Sequence, residues 1–359
     1  CKSCSKGYYS GAGAASCAAC PAGKYQGISG QTGCSTCSAG TISSAGSASC
    51  AACAAGKYRS DVSTCSDCAA GTYSGASSVS CTKCAAGFTS ASGAGDCDKC
   101  PAGTYAKGRV SCPSCGAGKY ATAGSITCST TPAGYYSGTK SGDYTACPVG
   151  KYSYAGAGSC TWCPAGRYNT KSAQDSCAAC AAGQYQPYND GANGGSKCYT
   201  CAAGTYQGST GQASCTDCAA GYASASGAAS CLVCNEGKYS TSAKSASCST
   251  CVAGKYSGSA ASASCATCPA GKSSKDGAGG CGACPAGQYA PAGHPDECKS
   301  CSKGYYSGAG AEKCAICPAG KYQDVIGQAG CKLCAAGTIS SAGAASCAAC
   351  AAGKYRSDV

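Results

Sequence analysis

The sequence predicts a small disulfide-rich repeat: an elongated rod or solenoid-like array of short β-hairpin loops, with little regular secondary structure and no helix. Three observations predict it. The 359 residues include 42 Cys and 55 Gly but only two Leu, six Ile, eight Val, one Phe and one Trp. A Cys-x-x-Cys pair returns every 15 to 21 residues along the chain, with a single break. No segment carries apolar residues at helical spacing over three turns.

The 44% hydrophobic content is mostly Ala, Cys and Tyr, so no sizeable aliphatic core can form. Burial yields roughly 25 cal/mol per Å² of apolar surface, and so few large side chains cannot offset the conformational entropy of the chain. Cysteine at this frequency reads as a disulfide scaffold, which persists in an oxidising compartment and predicts an extracellular or cell-surface protein. The formal charge of +12 is spread thinly rather than gathered in runs, which argues against nucleic-acid binding. No apolar stretch reaches transmembrane length, and the sequence has neither a signal peptide nor a Met. These features predict a segment of something longer.

The second Cys of each pair opens a unit reading C-[P/A/S]-[A/K]-G-x-Y, followed by a Ser/Gly/Ala stretch and the next pair, as in "CPAGKY" at 20–25 and "CAAGKY" at 53–58. Counting Thr131 and Tyr144, which stand where cysteines belong, there are 22 such positions, and Gly lies three residues after every one, including Gly7, Gly23 and Gly56. A strictly placed Gly marks positive φ or close approach by another segment, here the turn that folds each loop back. Tyr lies five residues after 17 of the 22, including Tyr9, Tyr25 and Tyr58; Ile42, Thr89, Ala223, Ser273 and Ile339 are the exceptions. Packing over a neighbouring disulfide, with the hydroxyl reaching a backbone carbonyl, is the structural role expected for that Tyr. An exposed aromatic row that stacks on sugars or forms crosslinks is the functional alternative.

The break selects the covalent wiring. If each pair closed on itself, the losses at 131 and 144 would orphan Cys128 and Cys147. Pairing of like positions between adjacent units strands those two or Cys115 and Cys160. If each second Cys pairs with the first Cys of the next unit, positions 131 and 144 are partners and their joint loss leaves no free thiol. That scheme pairs Cys4 with Cys17, Cys20 with Cys34, Cys37 with Cys50, Cys53 with Cys65 and Cys68 with Cys81. It continues through Cys115 with Cys128, Cys147 with Cys160, Cys163 with Cys177 and Cys334 with Cys347, leaving only Cys1 and Cys350. Loops of this length stabilise by roughly 3 kcal/mol per bridge on the chain-entropy estimate. Zinc is the competing use of such pairs, but sites at the break would hold three ligands and His294 is the only histidine, so no metal and no cofactor is expected. A thioredoxin-like redox role needs a helix start that is missing here.

A longer period overlies the short one. Residues 298–359 repeat residues 1–62 at 51 of 62 positions without a gap, so 1–297 form one super-repeat of 18 units, with an irregular joint at 128–147, and 298–359 begin a second. In seven of the eleven differences the second copy carries the larger residue, among them Ile316 for Ala19, Asp324 for Gly27, Lys332 for Ser35 and Leu333 for Thr36.

Several surface features have two readings. Lys or Arg precedes the repeat Tyr at Lys24, Lys57, Lys119, Lys151, Arg167, Lys238, Lys255, Lys321 and Lys354. They form either a solvated face or a basic row for acidic polysaccharide. No Asn-x-Ser/Thr sequon is present, but Ser and Thr crowd the loops, which favours O-linked glycans. The longest loop, 181–197, is a Gly/Asn insertion whose one acid, Asp190, is too little for calcium. Trp162, inside "CTWC", marks either a lateral contact or local packing.

The unit "CPAGKY…C-x-x-C" resembles the ephrin-receptor-like cysteine-rich repeats, which occur in tandem in extracellular proteins, including very large ones of protists. It is also similar to the first small loop in the cysteine-rich modules of tumour necrosis factor receptors, where a Cys before P-x-G-x-Y closes on the first Cys of the next cluster. The resemblance implies an elongated rod of small disulfide-closed loops, each touching its neighbours, with no catalytic residues to carry over. Thr131 and Tyr144 depart from the pattern and imply a looser joint around Tyr135, Tyr136 and Tyr144. With one His and scattered acids, no catalytic constellation is expected. The expected function is a non-enzymatic extracellular structural protein, a subunit of a filament or surface fibre such as a hair or sheath of a protist or alga. Its partners are then further copies of the same array. The alternative is a cell-surface receptor, adhesin or surface antigen whose cysteine-rich stalk binds a protein or polysaccharide.

Overall fold

The structure is a computed structural model that describes residues 1–187, 194–292 and 296–355. Asp190 and His294 lie outside the described residues. No helix occurs among the described residues, and the regular structure consists of twenty two-stranded antiparallel hairpins. The hairpins follow one rule, lengthened by one residue on each strand in Lys57–Arg59 with Cys65–Asp67. The two residues after the repeat Gly form the outgoing strand, and the x-x dipeptide of the next Cys-x-x-Cys forms the return, as Tyr8–Tyr9 with Ala18–Ala19 and Lys24–Tyr25 with Ser35–Thr36. A two-residue ladder is marginal alone; here a disulfide closes its base in every hairpin but that of Tyr135–Tyr136 with Thr145–Ala146.

Twenty bridges join the second Cys of one pair to the first Cys of the next: Cys4–Cys17, Cys20–Cys34, Cys37–Cys50, Cys53–Cys65, Cys68–Cys81, Cys115–Cys128, Cys147–Cys160, Cys163–Cys177 and Cys334–Cys347 are examples. Cys1 and Cys350 are unpaired. The bridges replace a core in the literal sense, because the buried apolar residues are the second cysteines plus three alanines, Cys177 being the one first cysteine among them. Cys20, Cys53, Cys100 and Cys147 are fully buried.

One unit, opened by Cys100, lacks the two-residue ladder. Thr104 and Ser114 make an isolated bridge and Lys107 and Ser111 another. Pro113 holds the first x position there, and without an N–H it cannot complete the pair opposite Tyr105.

The chain forms two compact bodies. The first comprises Cys1–Cys163, Asn169–Cys177 and Gly191–Ser196; the second comprises Pro164–Tyr168, Ala178–Asp190 and Lys197–Val359. Their division falls inside the 297-residue period.

Candidate functional site

What recurs in each body is the junction between units, and it is built almost wholly from backbone. The repeat Gly donates its N–H to the carbonyl of the residue after the repeat Tyr one unit on: Gly7 to Gln26 at 2.8 Å, Gly23 to Ser43 at 3.0 Å, Gly56 to Ser74 at 2.8 Å. In most loops the turn residue donates back to the preceding unit's buried Cys carbonyl, as Gly46 to Cys20 and Gly93 to Cys68, each at 2.8 Å. That turn also reaches two units back. A Cβ on Gly7 would collide with the Gly46 carbonyl, and one on Gly56 with the Gly93 carbonyl. Gly7 and Gly56 each have φ of +86°, so both reasons for the repeat Gly hold together. Units therefore touch their second neighbours as well as their first, where the repeat pattern alone implies touch between adjacent units.

The residue after the repeat Tyr carries the side-chain part of the junction. Ser43 Oγ donates to the Lys24 carbonyl at 2.9 Å, Ser74 Oγ to Lys57 at 3.0 Å and Ser257 Oγ to Lys238 at 3.1 Å. These serines are 3–5% exposed. Asn169 performs both halves with one side chain, accepting from Gly150 N–H at 2.7 Å and donating to the Lys151 carbonyl at 2.8 Å. Gln at this position turns inward instead: Gln26 Nε2 donates to the Gly33 carbonyl and its Oε1 accepts from Ile28 N–H, pinning a loop one residue longer than most. In the sequence these residues merge into the variable Ser/Gly/Ala stretch; their spacing, one after the Tyr, is the signal that marks them.

Tyr9, Tyr25 and Tyr58 lie half-exposed on the outgoing strands. Side-chain hydrogen bonds to neighbouring strand carbonyls come from the residue after the repeat Tyr position, as from the Ser43 and Ser74 hydroxyls and the Asn169 amide.

At the break, Thr131 is fully buried in the place of a second Cys. Its N–H reaches the Gly118 carbonyl at 3.0 Å and its carbonyl accepts from Gly156 at 2.8 Å, the bonds a cysteine makes elsewhere. Its Oγ1 is hydrogen-bonded to Ser137 Oγ, where Cys147 Sγ lies 3.3 Å from Ser153 Oγ in the next unit. Tyr144 sets its ring edge-on to Tyr120 at 4.9 Å and to Tyr135 at 5.0 Å between centroids. The hairpin of Tyr135–Tyr136 with Thr145–Ala146 keeps the common register.

Among the basic residues, Lys57 pairs with Asp67 across its hairpin at 2.8 Å, and Lys151 Nζ lies 4.1 Å above the centre of the Trp162 ring. Trp162 thus has a local packing role while remaining 39% exposed. Lys24, Lys119, Lys238, Lys255 and Lys321 are exposed. A cavity of about 370 Å³ beside the Pro113 hairpin is lined by Tyr105, Ser114, Gly116, Lys119, Thr127 and Cys128. Among the described residues no cluster of His, Cys, Asp and Glu is arranged to hold a metal ion, and no helix is long and apolar enough to cross a membrane.

Three stretches, residues 7–42, 150–193 and 304–340, match the family model described as tyrosine-protein kinase ephrin type A/B receptor-like. The first and third begin 297 residues apart, at the same repeat Gly in the two copies. No curated protein matches the chain.

Proposed function

From a chain that carries ephrin-receptor-like cysteine-rich repeats in three stretches, and whose hairpins are disulfide-closed in every unit but the one opened by Thr131, we propose a non-enzymatic structural subunit of an extracellular filament or surface fibre. The coarse part rests on the bridges and the family, which fit an extracellular or surface protein. The finer part rests on one observation, the 51 of 62 identities at a spacing of 297 residues, because a long exact period suits a polymer with a matching axial repeat. Junctions made of backbone hydrogen bonds and of glycines lying against carbonyls support it, since they carry load without depending on any particular surface residue. The exposed strand residues Thr36, Thr130, Thr216 and Thr250 offer sites for O-linked glycans.

Electron microscopy of native, unreduced material tests the reading. Filaments of constant axial repeat are expected, and isolated particles with a distinct end would overturn it. An intact mass equal to the bare polypeptide would remove the glycans.

The binding alternative has its own observation, the cavity beside Pro113. Tyr105 offers an aromatic face, Ser114 and Thr127 offer hydroxyls and Lys119 a cation, a set suited to an acidic sugar. Saccharide-array binding that Lys119→Ala abolishes would favour that reading over the fibre.

A further inference from the structure

We propose that the unit opened by Thr131 is an extensible element, the one repeat able to lengthen under tension while every disulfide stays intact. The argument is one of covalent topology. In every other unit from Cys4 to Cys347 a bridge short-circuits the loop, holding its ends at Cα distances of 5.6 to 5.9 Å. Tension along the chain then passes through the bridge and the short Cys-x-x-Cys link, and the loop between carries none. Between Cys128 and Cys147 there is no such path, so the load runs through the whole unit.

The thirteen peptide steps from Thr131 to Tyr144 reach about 45 Å when drawn out, a gain of about 40 Å over a bridged unit. What holds the unit shut is non-covalent. Gly134 N–H bonds to Ser153 at 2.8 Å, Lys140 N–H to Cys115 at 2.8 Å, and Cys147 N–H to Gly134 at 2.9 Å. Ser153 Oγ donates to the Tyr135 carbonyl at 2.8 Å, and Tyr144 is wedged edge-on to Tyr120 and Tyr135. Each hydrogen bond is weak beside a covalent bridge, yet together they keep the register of the hairpin, so the unit is folded at rest and yields first under load. The buried Thr131–Ser137 bond lets the position lose its sulfur without leaving an unpaired polar group. This element belongs to the covalent wiring and operates in a fibre subunit or a receptor stalk alike, so its test is separate from that of the fibre.

Single-molecule stretching of the full chain under non-reducing conditions, with handles on the Cys1 and Cys350 thiols, reads the element directly. The expected trace has one lengthening step of about 40 Å. Thr131→Cys with Tyr144→Cys, which offers the missing bridge, removes that step when thiol titration shows no added free thiol. Tyr144→Ala leaves the length of the step unchanged and lowers the force at which it occurs. A wild-type trace without the step, or a bridged double variant that retains it, overturns the proposal.

Discussion

The Cα of Gly7 lies against the carbonyl oxygen of Gly46, two units further along the chain, with no room between them for a methyl group. The same meeting recurs between Gly56 and Gly93 and between Gly87 and Gly124, so one backbone arrangement supports the stacking within the first body. A side chain at Gly7, Gly56 or Gly87 can only spoil it.

Gly56→Ala therefore weakens three units at once. The residue has φ of +86°, which costs an L residue about 1–2 kcal/mol, and the added methyl displaces the Gly93 carbonyl besides. Hydrogen exchange at the Gly93 amide, which bonds to Cys68, is expected to speed up at least about tenfold. Gly11→Ala, at a glycine with open space around it, leaves exchange unchanged.

The serine staples are separable from the glycine packing. Ser74→Ala removes the donor to the Lys57 carbonyl and costs about 1 kcal/mol. Ala121 occupies the equivalent buried position in its own unit, so Ala121→Ser adds a donor beneath Thr104 and gains up to about the same amount. Amide exchange of the flanking strands measures both, with opposite signs expected.

Among the described residues, six turns place a non-glycine residue in the left-handed region: Ser77, Arg109, Lys140, Ala173, Lys244 and Ala261. Ala261, with φ of +60°, bonds through its N–H to Cys234 at 2.9 Å. Ala261→Gly relieves the backbone strain and meets a smaller opposing term from the freer unfolded chain, for a net stabilisation of about 0.5–1 kcal/mol. Slower exchange of the residue 261 amide is the expected reading, and faster exchange contradicts it.

Asp324 and Lys332 exist as a pair only in the second copy, since the first has Gly27 and Ser35 there. Lys332 Nζ lies 2.7 Å from Asp324 Oδ1. The hydrogen bond to Lys332 holds the Asp324 carboxyl below its ordinary value, and the same bond holds the Lys332 ammonium above its own. The carboxyl's small contribution is present above the unfolded Asp value and lost as pH falls through the folded one. The ammonium's contribution is present below the unfolded Lys value and lost as pH rises through the folded one. NMR titration of Lys332 is expected to move down toward the ordinary lysine value in Asp324→Asn. The pair is exposed, so overall stability changes little.

The hairpin array was legible because its determinants are covalent and periodic. Cys and Gly recur at fixed offsets, and an x-x dipeptide held between two bridged cysteines has little choice but to be a return strand. The second-neighbour approach was hidden because it joins a carbonyl to a Cα, and its only trace in sequence is the absence of a side chain at Gly7 or Gly56, which a turn explains equally well. The serine staple was blurred by substitution, because Gln26, Asn169 and Ala121 fill the same slot with different bonds or none. The break at Thr131 looked like a weak joint in sequence, and only the placement of Tyr144 between two rings shows how its register is kept.

The order of the cysteines also governs how such a chain can be made. No bridge spans more than 18 residues, and most span 12 to 14. As the polypeptide is threaded into an oxidising lumen from its N-terminus, each first Cys emerges when, Cys1 apart, the only upstream thiol still open is its proper partner, and the next competitor arrives three residues later. Oxidation that keeps pace with translocation thus has one local choice at each step and little for an isomerase to reshuffle. Lengthening the array adds time in proportion to its units and leaves the error rate per unit the same.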